Sequence, residues 1–310
     1  MKISVIIVSF NSSSVLKRCL DALTAQEGDP LDLEIIVVDN HSVDSSRTVA
    51  QSFSPKLKLI ANEENHGFAK ACNQGARAAT GEYILFLNPD VELQQETVAG
   101  LVKALISEEA SIAAPALRDA GGKISPTIYK IPNLWLLVLK TILPYSGYLP
   151  LITHRSDYQC TAPSVTAACM LIRRTDFAAL SGFDERFFLY FEDIDLCYRA
   201  SQAGLTILFV PSAVATHTTG HSSWQDMATF FLNFARSEQL FFQKHSSRFI
   251  ARTATLLIRC GMAVRISSMS VLAVLFREKK LQQRSEAYAR ALQQFKYSPF
   301  RSQTFTTHDT

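Results

Sequence analysis

The chain has 310 residues, 47% of them hydrophobic, and a formal net charge of +3. That length and apolar content supply ample core for one large domain, or a domain with an appendage, and the near-neutral balance gives no electrostatic footprint for nucleic acid, so no nucleic acid partner is expected. The charge is uneven: from Lys244 to the end 12 Lys and Arg face 3 Asp and Glu, a balance of +9, which leaves 19 against 25, or −6, on the first 243 residues.

Residues 3–9 form a continuous β-branched run, too short for a signal peptide and without a small-residue cleavage site, and read as a buried strand. Residues 15–25 have helical spacing. Residues 34–38 are a second buried run ending in Asp39-Asn40, and residues 57–61 a third. Residues 68–79 read as a helix, 83–87 as a fourth strand ending in Asn88-Pro89-Asp90, and 93–106 as helix again. Strands that alternate with helices predict a parallel sheet covered on both faces. In such sheets ligands gather at the carboxyl ends of the strands, so the polar clusters after Val8, Val38 and Leu87 should converge on one edge.

Further along, residues 111–129 mix strand and turn signals, and Pro132, Pro144 and Pro150 bracket an apolar run from Leu134 to Leu139. Residues 166–174 predict a strand, 192–203 a helix, and 206–210 and 213–217 two more strands. From Gln225 the pattern is helical, ending in a polar tail after Tyr297. No window offers the roughly 20 uninterrupted apolar residues of a spanning helix; the best, residues 256–276, is broken by Arg259 and Arg265. The cysteines, Cys19, Cys72, Cys160, Cys169, Cys197 and Cys260, form no CxxC or Cys/His cluster, which speaks against a zinc site or disulfide framework and fits reduced cytosolic thiols.

Five segments carry candidate chemistry. Asp39, at the end of a buried strand, can accept from the N–H of a nucleotide base or cap a turn; for Asp44 behind it the turn is the better reading. Gly67 opens a helix whose free N–H groups favour phosphate, with Lys70 and Asn73 one turn apart on one face; an ordinary loop-to-helix junction has the same look. Asn88 and Asp90, one residue apart, can face one hard cation through oxygen, or simply form a turn. Glu192, Asp193 and Asp195 start a helix after an aromatic run, Phe187, Phe188, Tyr190 and Phe191; helix capping explains them, and so does a general base held in an apolar wall. His217 ends a strand and alone would be structural.

Together these segments resemble the family 2 glycosyltransferases of the GT-A fold over roughly residues 3–245, and most closely the rhamnosyltransferase-like branch. The resemblance rests on Val8-Ser9-Phe10-Asn11, Val37-Val38-Asp39-Asn40, Asn65-His66-Gly67-Phe68, Leu87-Asn88-Pro89-Asp90 and Phe191-Glu192-Asp193-Ile194-Asp195-Leu196, in that order. It implies an α/β fold with a Rossmann-like mixed sheet flanked by helices and a C-terminal helical appendage: a catalytic domain over 1–245, a basic helical region over 246–297 and a flexible tail over 298–310. It also implies roles. Asp39 would read the base of a nucleotide-diphosphate sugar donor, with Phe10 and Asn11 lining the pocket and Lys70 and Asn73 near base or diphosphate. Asp90 would bind Mg²⁺ or Mn²⁺, with Asn88 beside it and His217 as a late ligand. Asp193 would be the base, and Asp184, Glu192 and Asp195 would shape the acceptor site. The family's usual metal motif is Asp-x-Asp; Asn88 stands for the first Asp and brings no charge.

The implied reaction is a single inverting displacement onto a hydroxyl of a glycan or a polyprenyl-diphosphate-linked sugar, with dTDP-rhamnose the favoured donor, at the cytoplasmic membrane face. Arg248, Arg252, Arg259 and Arg277 fall within about 40° of one helical stripe beside apolar Leu256, Leu257, Val264, Val271 and Leu275. Such a helix fits an anionic membrane surface, or packs on the catalytic domain with a solvated basic edge. Three rivals remain. A sugar nucleotidyltransferase should carry a Gly-rich N-terminal loop, and residues 9–15 hold no Gly. A processive synthase should show Gln-x-x-Arg-Trp and spanning helices, and the sequence reads as having neither. A non-catalytic nucleotide-sugar-binding protein would have no need of Asp193 and His217.

Overall fold

The computed structural model describes residues 1–26, 31–143, 145–154, 156–218 and 227–296. The expected tail over 298–310 and the expected helix start at Gln225 lie outside them. The chain opens with β1 (Lys2–Ser9), α1 (Ser13–Thr24), β2 (Asp32–Asp39), α2 (Ser46–Gln51), β3 (Leu57–Ala61), α3 (Phe68–Ala78) and β4 (Tyr83–Leu87). It continues through β5 (Val91–Leu93), α4 (Thr97–Ser107), β6 (Ile112–Arg118), β7 (Ile124–Ser125), β8 (Ile128–Tyr129), α5 (Leu134–Ile142), α6 (Tyr145–Ile152), β9 (Thr153–His154) and β10 (Cys160–Thr161). Then come β11 (Cys169–Arg173), α7 (Arg174–Ala179), α8 (Glu192–Gln202), β12 (Ile207–His217), α9 (Met227–His245), α10 (Arg248–Phe276) and α11 (Lys279–Lys296).

The main sheet runs β10-β12-β6-β11-β4-β1-β2-β3, with β5 added to β12 and β7 to β6. The first four strands are parallel, as their alternation with helices requires. Beyond β4 the sheet becomes mixed: β11 runs antiparallel to both β4 and β6, and β12 runs parallel to β6. The two strands expected over 206–217 are one, bent by a register shift between Val210 and Val214 around Pro211. A bulge of this kind lets one strand serve two partners. Here the far half of β12 picks up β5.

Alternation along β1 explains the two cores. Ile3, Val5 and Ile7 pack on one face with α1 and α4, while Ile6 and Val8 pack on the other with α3 and α8. A third core joins Leu137 of α5, Leu232, Ala235 and Phe242 of α9, Ala254, Ile258 and Met262 of α10, and Ala291 and Phe295 of α11. The helical unit therefore begins before residue 246, with α5 and α9. Among the described residues α10 is the one helix long and apolar enough, by length and composition, to cross a membrane, which the sequence did not lead us to expect. Its interrupting Arg265 points inward and donates to the carbonyls of Gly261 and Lys140, so that half of α10 is a packed helix. The other half is bare: Val264, Val271, Val274, Leu275 and Phe276 are all exposed.

Candidate active site

The topology brings the carboxyl ends of β1, β2, β4, β6 and β12 to one edge, with the entry to β11 among them. At the first of these, Ser9 stands opposite Asp39, and the Asn40 N–H donates to the Ser9 carbonyl at 2.7 Å. Asp39 is fully buried. It accepts from the Ser42 N–H at 2.9 Å and from Arg47 Nε at 2.9 Å, and Arg47 also donates to the Asn62 carbonyl at 2.7 Å. Asn11, at φ 50°, uses the left-handed tolerance of asparagine to clasp the same loop: its N–H reaches Ser42 Oγ and its Oδ1 accepts from the Val43 N–H. Phe10 is half-buried beside it. Asp44 caps its turn, as expected; burial pushes its carboxyl up, but hydrogen bonds from Ser46 and Ser13 prevail and hold it down to about 2.

At the end of β4 the Asn88 N–H donates to the Ala168 carbonyl, and the Val91 N–H closes a turn on the Asn88 carbonyl. The chain then crosses over as β5, which sets Val91 opposite His217 of β12. Asp90 Oδ1 thereby stands 3.2 Å from His217 Nε2, both side chains mostly buried. An anionic oxygen and an imidazole nitrogen converging at an open sheet edge, with the Asn88 amide beside them, fit a divalent cation that takes oxygen and nitrogen ligands. Among the described residues no set of three His, Cys, Asp or Glu surrounds one point.

Asp193 reaches the same edge from α8. Its Oδ2 accepts from the Ala167 N–H at 3.1 Å, just before β11, and its Oδ1 from the Ile194 N–H at 2.8 Å. Burial pushes its carboxyl above the ordinary aspartate range, against the pull of those N–H groups. The neighbouring Glu192 is more deeply placed, and its Oε2 has no hydrogen-bond partner among the described residues. Burial, and then the charge on Asp193, push it well above the glutamate range. Of the two, Asp193 has the backbone donors that stabilise an anion, so it ionises first.

The segment before α8 is strained and tightly held. Ser181, Gly182, Tyr190 and Phe191 all have positive φ. Gly67, at φ 80°, lies so close that a Cβ there would stand 2.4 Å from the Phe188 carbonyl oxygen. The Phe68 N–H donates to that oxygen at 2.7 Å, so the first donor of α3 is spent on protein rather than left for phosphate.

Three expected site residues turn out to hold the fold. Asn73 bonds both ways to the Phe183 backbone, at 2.8 and 3.0 Å, and to Glu185; its amide fastens the 182–185 turn to α3. Asp184 is gripped by Arg186 and by Lys244 Nζ at 2.7 Å. Burial raises its carboxyl, but these bonds take it far below the ordinary range. Asp195 is fully buried and paired with Arg199, Lys244 and His245. Both carboxylates are thus engaged in tying the segment before α8, and α8 itself, to α9. Lys70 is half-buried and makes no ion pair among the described residues.

The model of the family described as Glycosyl transferase family 2 matches residues 4–180, more than half of the chain. The chain belongs to glycosyl transferase family 2. Among its relatives, the N-acetylglucosaminyl-diphospho-decaprenol L-rhamnosyltransferase of Mycobacterium tuberculosis is 27% identical over 261 residues, covering 78% of this chain and 84% of that one. Rhamnosyltransferase WbbL of Escherichia coli K12 is 30% identical over 257 residues, covering 80% and 92%. Among solved structures, the mannosyltransferase PcManGT of Pyrobaculum calidifontis, in complex with GDP-Man and Mn²⁺, superposes with a TM-score of 0.58 at 16% identity, covering 95% of this chain and 87% of that one. The glycosyltransferase therefore has the GT-A fold and is rhamnosyltransferase-like.

Within this glycosyltransferase, sequence reasoning missed Arg47, which orients Asp39, and the Lys244–His245 pair, which holds Asp195. Arg47 lies on a one-and-a-half-turn helix with no periodicity to flag it. Lys244 and His245 looked like the start of a basic tail; only the fold shows a buried carboxylate opposite them.

Proposed function

We propose that this glycosyltransferase transfers a single sugar, with inversion, from a nucleotide diphosphate to a hydroxyl of a glycan or polyprenyl-diphosphate-linked sugar, in the synthesis of bacterial surface polysaccharide. dTDP-rhamnose is the favoured donor, in line with the rhamnosyltransferase names of the relatives. The observation that carries the reading is the convergence of Asp90 and His217, 3.2 Å apart, on the sheet edge that also holds the half-buried Asp193.

Asp39, oriented by Arg47, accepts from the donor's base, with Phe10 and Asn11 beside it. Lys70 offers its charge to the diphosphate. Asp90 and His217, with the Asn88 amide oxygen, would hold Mg²⁺ or Mn²⁺, which when bound supplies positive charge against the leaving diphosphate. Asp193 takes the proton of the acceptor hydroxyl. Its burial raises its basicity, and the Ala167 and Ile194 N–H groups fix the carboxylate's direction. General base assistance of this kind contributes ~10²–10⁴-fold. The exposed apolar half of α10, followed by Arg277, Lys279 and Lys280, supports contact with the anionic inner face of the cytoplasmic membrane.

The test is transfer by the full chain. Nucleotide sugars are screened by thermal shift with Mg²⁺ and Mn²⁺, and transfer from the best donor is then followed. dTDP-rhamnose should stabilise most, in a metal-dependent way. Asp193→Asn should abolish transfer while calorimetry shows donor binding intact; near-normal turnover in that variant overturns the assignment. Substituting Val274, Leu275 and Phe276 by Ser should weaken co-sedimentation with anionic vesicles, and equal binding to neutral vesicles would count against the membrane contact.

A further inference from the structure

The segment from Arg186 to Leu189 and the face of α9 enclose a groove of about 330 Å³ lined by Arg186, Phe188, Asn233, Arg236, Ser237 and Leu240. Its two walls are joined by a hydrogen bond from Ser237 Oγ to the Leu189 carbonyl at 2.8 Å. We infer that this groove seats the diphosphate of a lipid-linked acceptor. The inference rests on the transfer reading above and names the part of the acceptor that the groove would grip.

Charge is the first reason. Arg186 brings one guanidinium to the groove, held on Asp184, which Lys244 also reaches. Arg236 adds a second: it is exposed, and makes no ion pair among the described residues. A diphosphate diester carries two negative charges, and guanidinium groups bind phosphate through paired N–H donors. Asn233 offers an amide that has no hydrogen-bond partner among the described residues. Phe188, 42% exposed, and Leu240 supply apolar walls of the kind a sugar ring or a prenyl chain can lie against.

Order along the protein is the second reason. Arg186 and Phe188 lie on the segment that runs directly into Glu192 and Asp193. The opposite wall, α9, packs on α10 and α11, and α10 carries the exposed apolar residues. Along the chain from Asp193 back to Arg186, and across the packed helices from α9 to α10, a candidate base is thus followed by cationic groups and these by an apolar stretch. A lipid-linked sugar has the same order: a hydroxyl that reacts, a diphosphate, a hydrocarbon. The groove thus fits the middle of an amphiphile whose two ends already have places.

The experiment uses the full chain, with dTDP filling the donor side, and farnesyl diphosphate and inorganic pyrophosphate as probes in calorimetry. Arg236→Glu should weaken farnesyl diphosphate at least tenfold, and Arg236→Lys should retain most of the binding. Wild-type affinity in Arg236→Glu overturns the inference. Equal affinity for pyrophosphate and farnesyl diphosphate also overturns it, since that describes a site for a free anion. In steady state, Arg236→Glu should raise KM for a prenyl-diphosphate-linked acceptor about tenfold with kcat unchanged, and leave KM for an octyl glycoside of the same sugar where it was. Equal losses on both acceptors would sink the diphosphate assignment while the transfer reading stands. Absence of transfer to any acceptor, with the farnesyl diphosphate difference intact, would sink the transfer reading and leave the groove.

Discussion

Asp195→Asn separates a structural role from a role at the acceptor. Asp195 is completely buried, with Arg199 Nε at 2.8 Å, Lys244 Nζ at 2.8 Å and His245 Nε2 at 2.7 Å. Removing one member of a buried ion pair costs ~3–5 kcal/mol, because the partner's charge is left without compensation. Here Lys244 keeps Asp184 at 2.7 Å, and Arg199 keeps the carbonyls of Leu180 and Gly182, so the lower end applies, about 3 kcal/mol. For a chain of this size that lowers Tm by roughly 6–12 °C. Burial pushes the Asp195 carboxyl up, but His245, Lys244 and Arg199 outweigh it and hold it below the ordinary range. A carboxylate lowered in this way stabilises above its unfolded pKa of ~3.9 and loses that contribution as pH falls through the folded value. Urea denaturation should therefore show the full difference from wild type at pH 7 and pH 5, closing below about pH 4. The acceptor KM should change less than threefold. Unchanged stability together with a tenfold rise in acceptor KM would refute this reasoning and return Asp195 to the acceptor site.

Further outcomes follow from the same geometry. Because burial raises Asp193, the acidic limb of kcat/KM should lie above the ordinary aspartate value of ~3.9, activity falling as pH drops through it; a limb at or below that value speaks against Asp193 as base. Asn88→Asp adds a charge beside the candidate cation site; against a divalent ion at ~4 Å in a water-like medium that contributes about 2 kcal/mol, so half-activation by Mn²⁺ should need roughly thirtyfold less metal. Gly67→Ala forces a side chain into φ 80° and against the Phe188 carbonyl, and should cost at least ~2 kcal/mol by urea denaturation and slow turnover by displacing the segment that leads to Asp193.

The edge of the sheet was legible because it depends on short-range patterns. Buried β-branched runs fix β1, β2 and β4, and whatever follows each run must lie at the carboxyl end, so Asn11, Asp39 and Asn88 could be placed without knowing the tertiary fold. His217 was harder. Its meeting with Asp90 depends on β5, three residues long, whose pairing with the far half of β12 no local signal announces. Three other expected site residues share one feature. Asn73, Asp184 and Asp195 sit beside functional groups in sequence, yet each also has a partner 49 to 112 residues away. A carboxylate at a helix start looks the same whether it faces a ligand or a lysine brought in from a later helix; only the second partner decides. The exposed half of α10 was legible as composition, and its packed half was not, because Arg265 looked like an interruption and is in fact a half-buried tether to Lys140.

The approach to Asp193 shows how the pieces depend on one another. Tyr190 and Phe191 are successive residues at φ 71° and 66°, a conformation that costs of order 1–3 kcal/mol for each non-glycine residue. Both are bulky and lack the left-handed tolerance of glycine or asparagine. The offset comes from burial: Phe183, Phe187 and Phe191 are almost fully enclosed, and burying such a side chain contributes ~1.5–3 kcal/mol. The aromatic run that reads in sequence as an apolar wall is thus also what holds the chain in its left-handed turn. That turn starts α8 in the direction that lets Asp193 reach the Ala167 N–H at the mouth of β11. An extended backbone at Tyr190 would send α8 elsewhere and take the carboxylate off the sheet edge. The strain, the aromatic core and the position of the proposed base are therefore one arrangement, and a loss of aromatic packing at Phe187 or Phe191 should reach turnover through the aim of Asp193 before it reaches global unfolding.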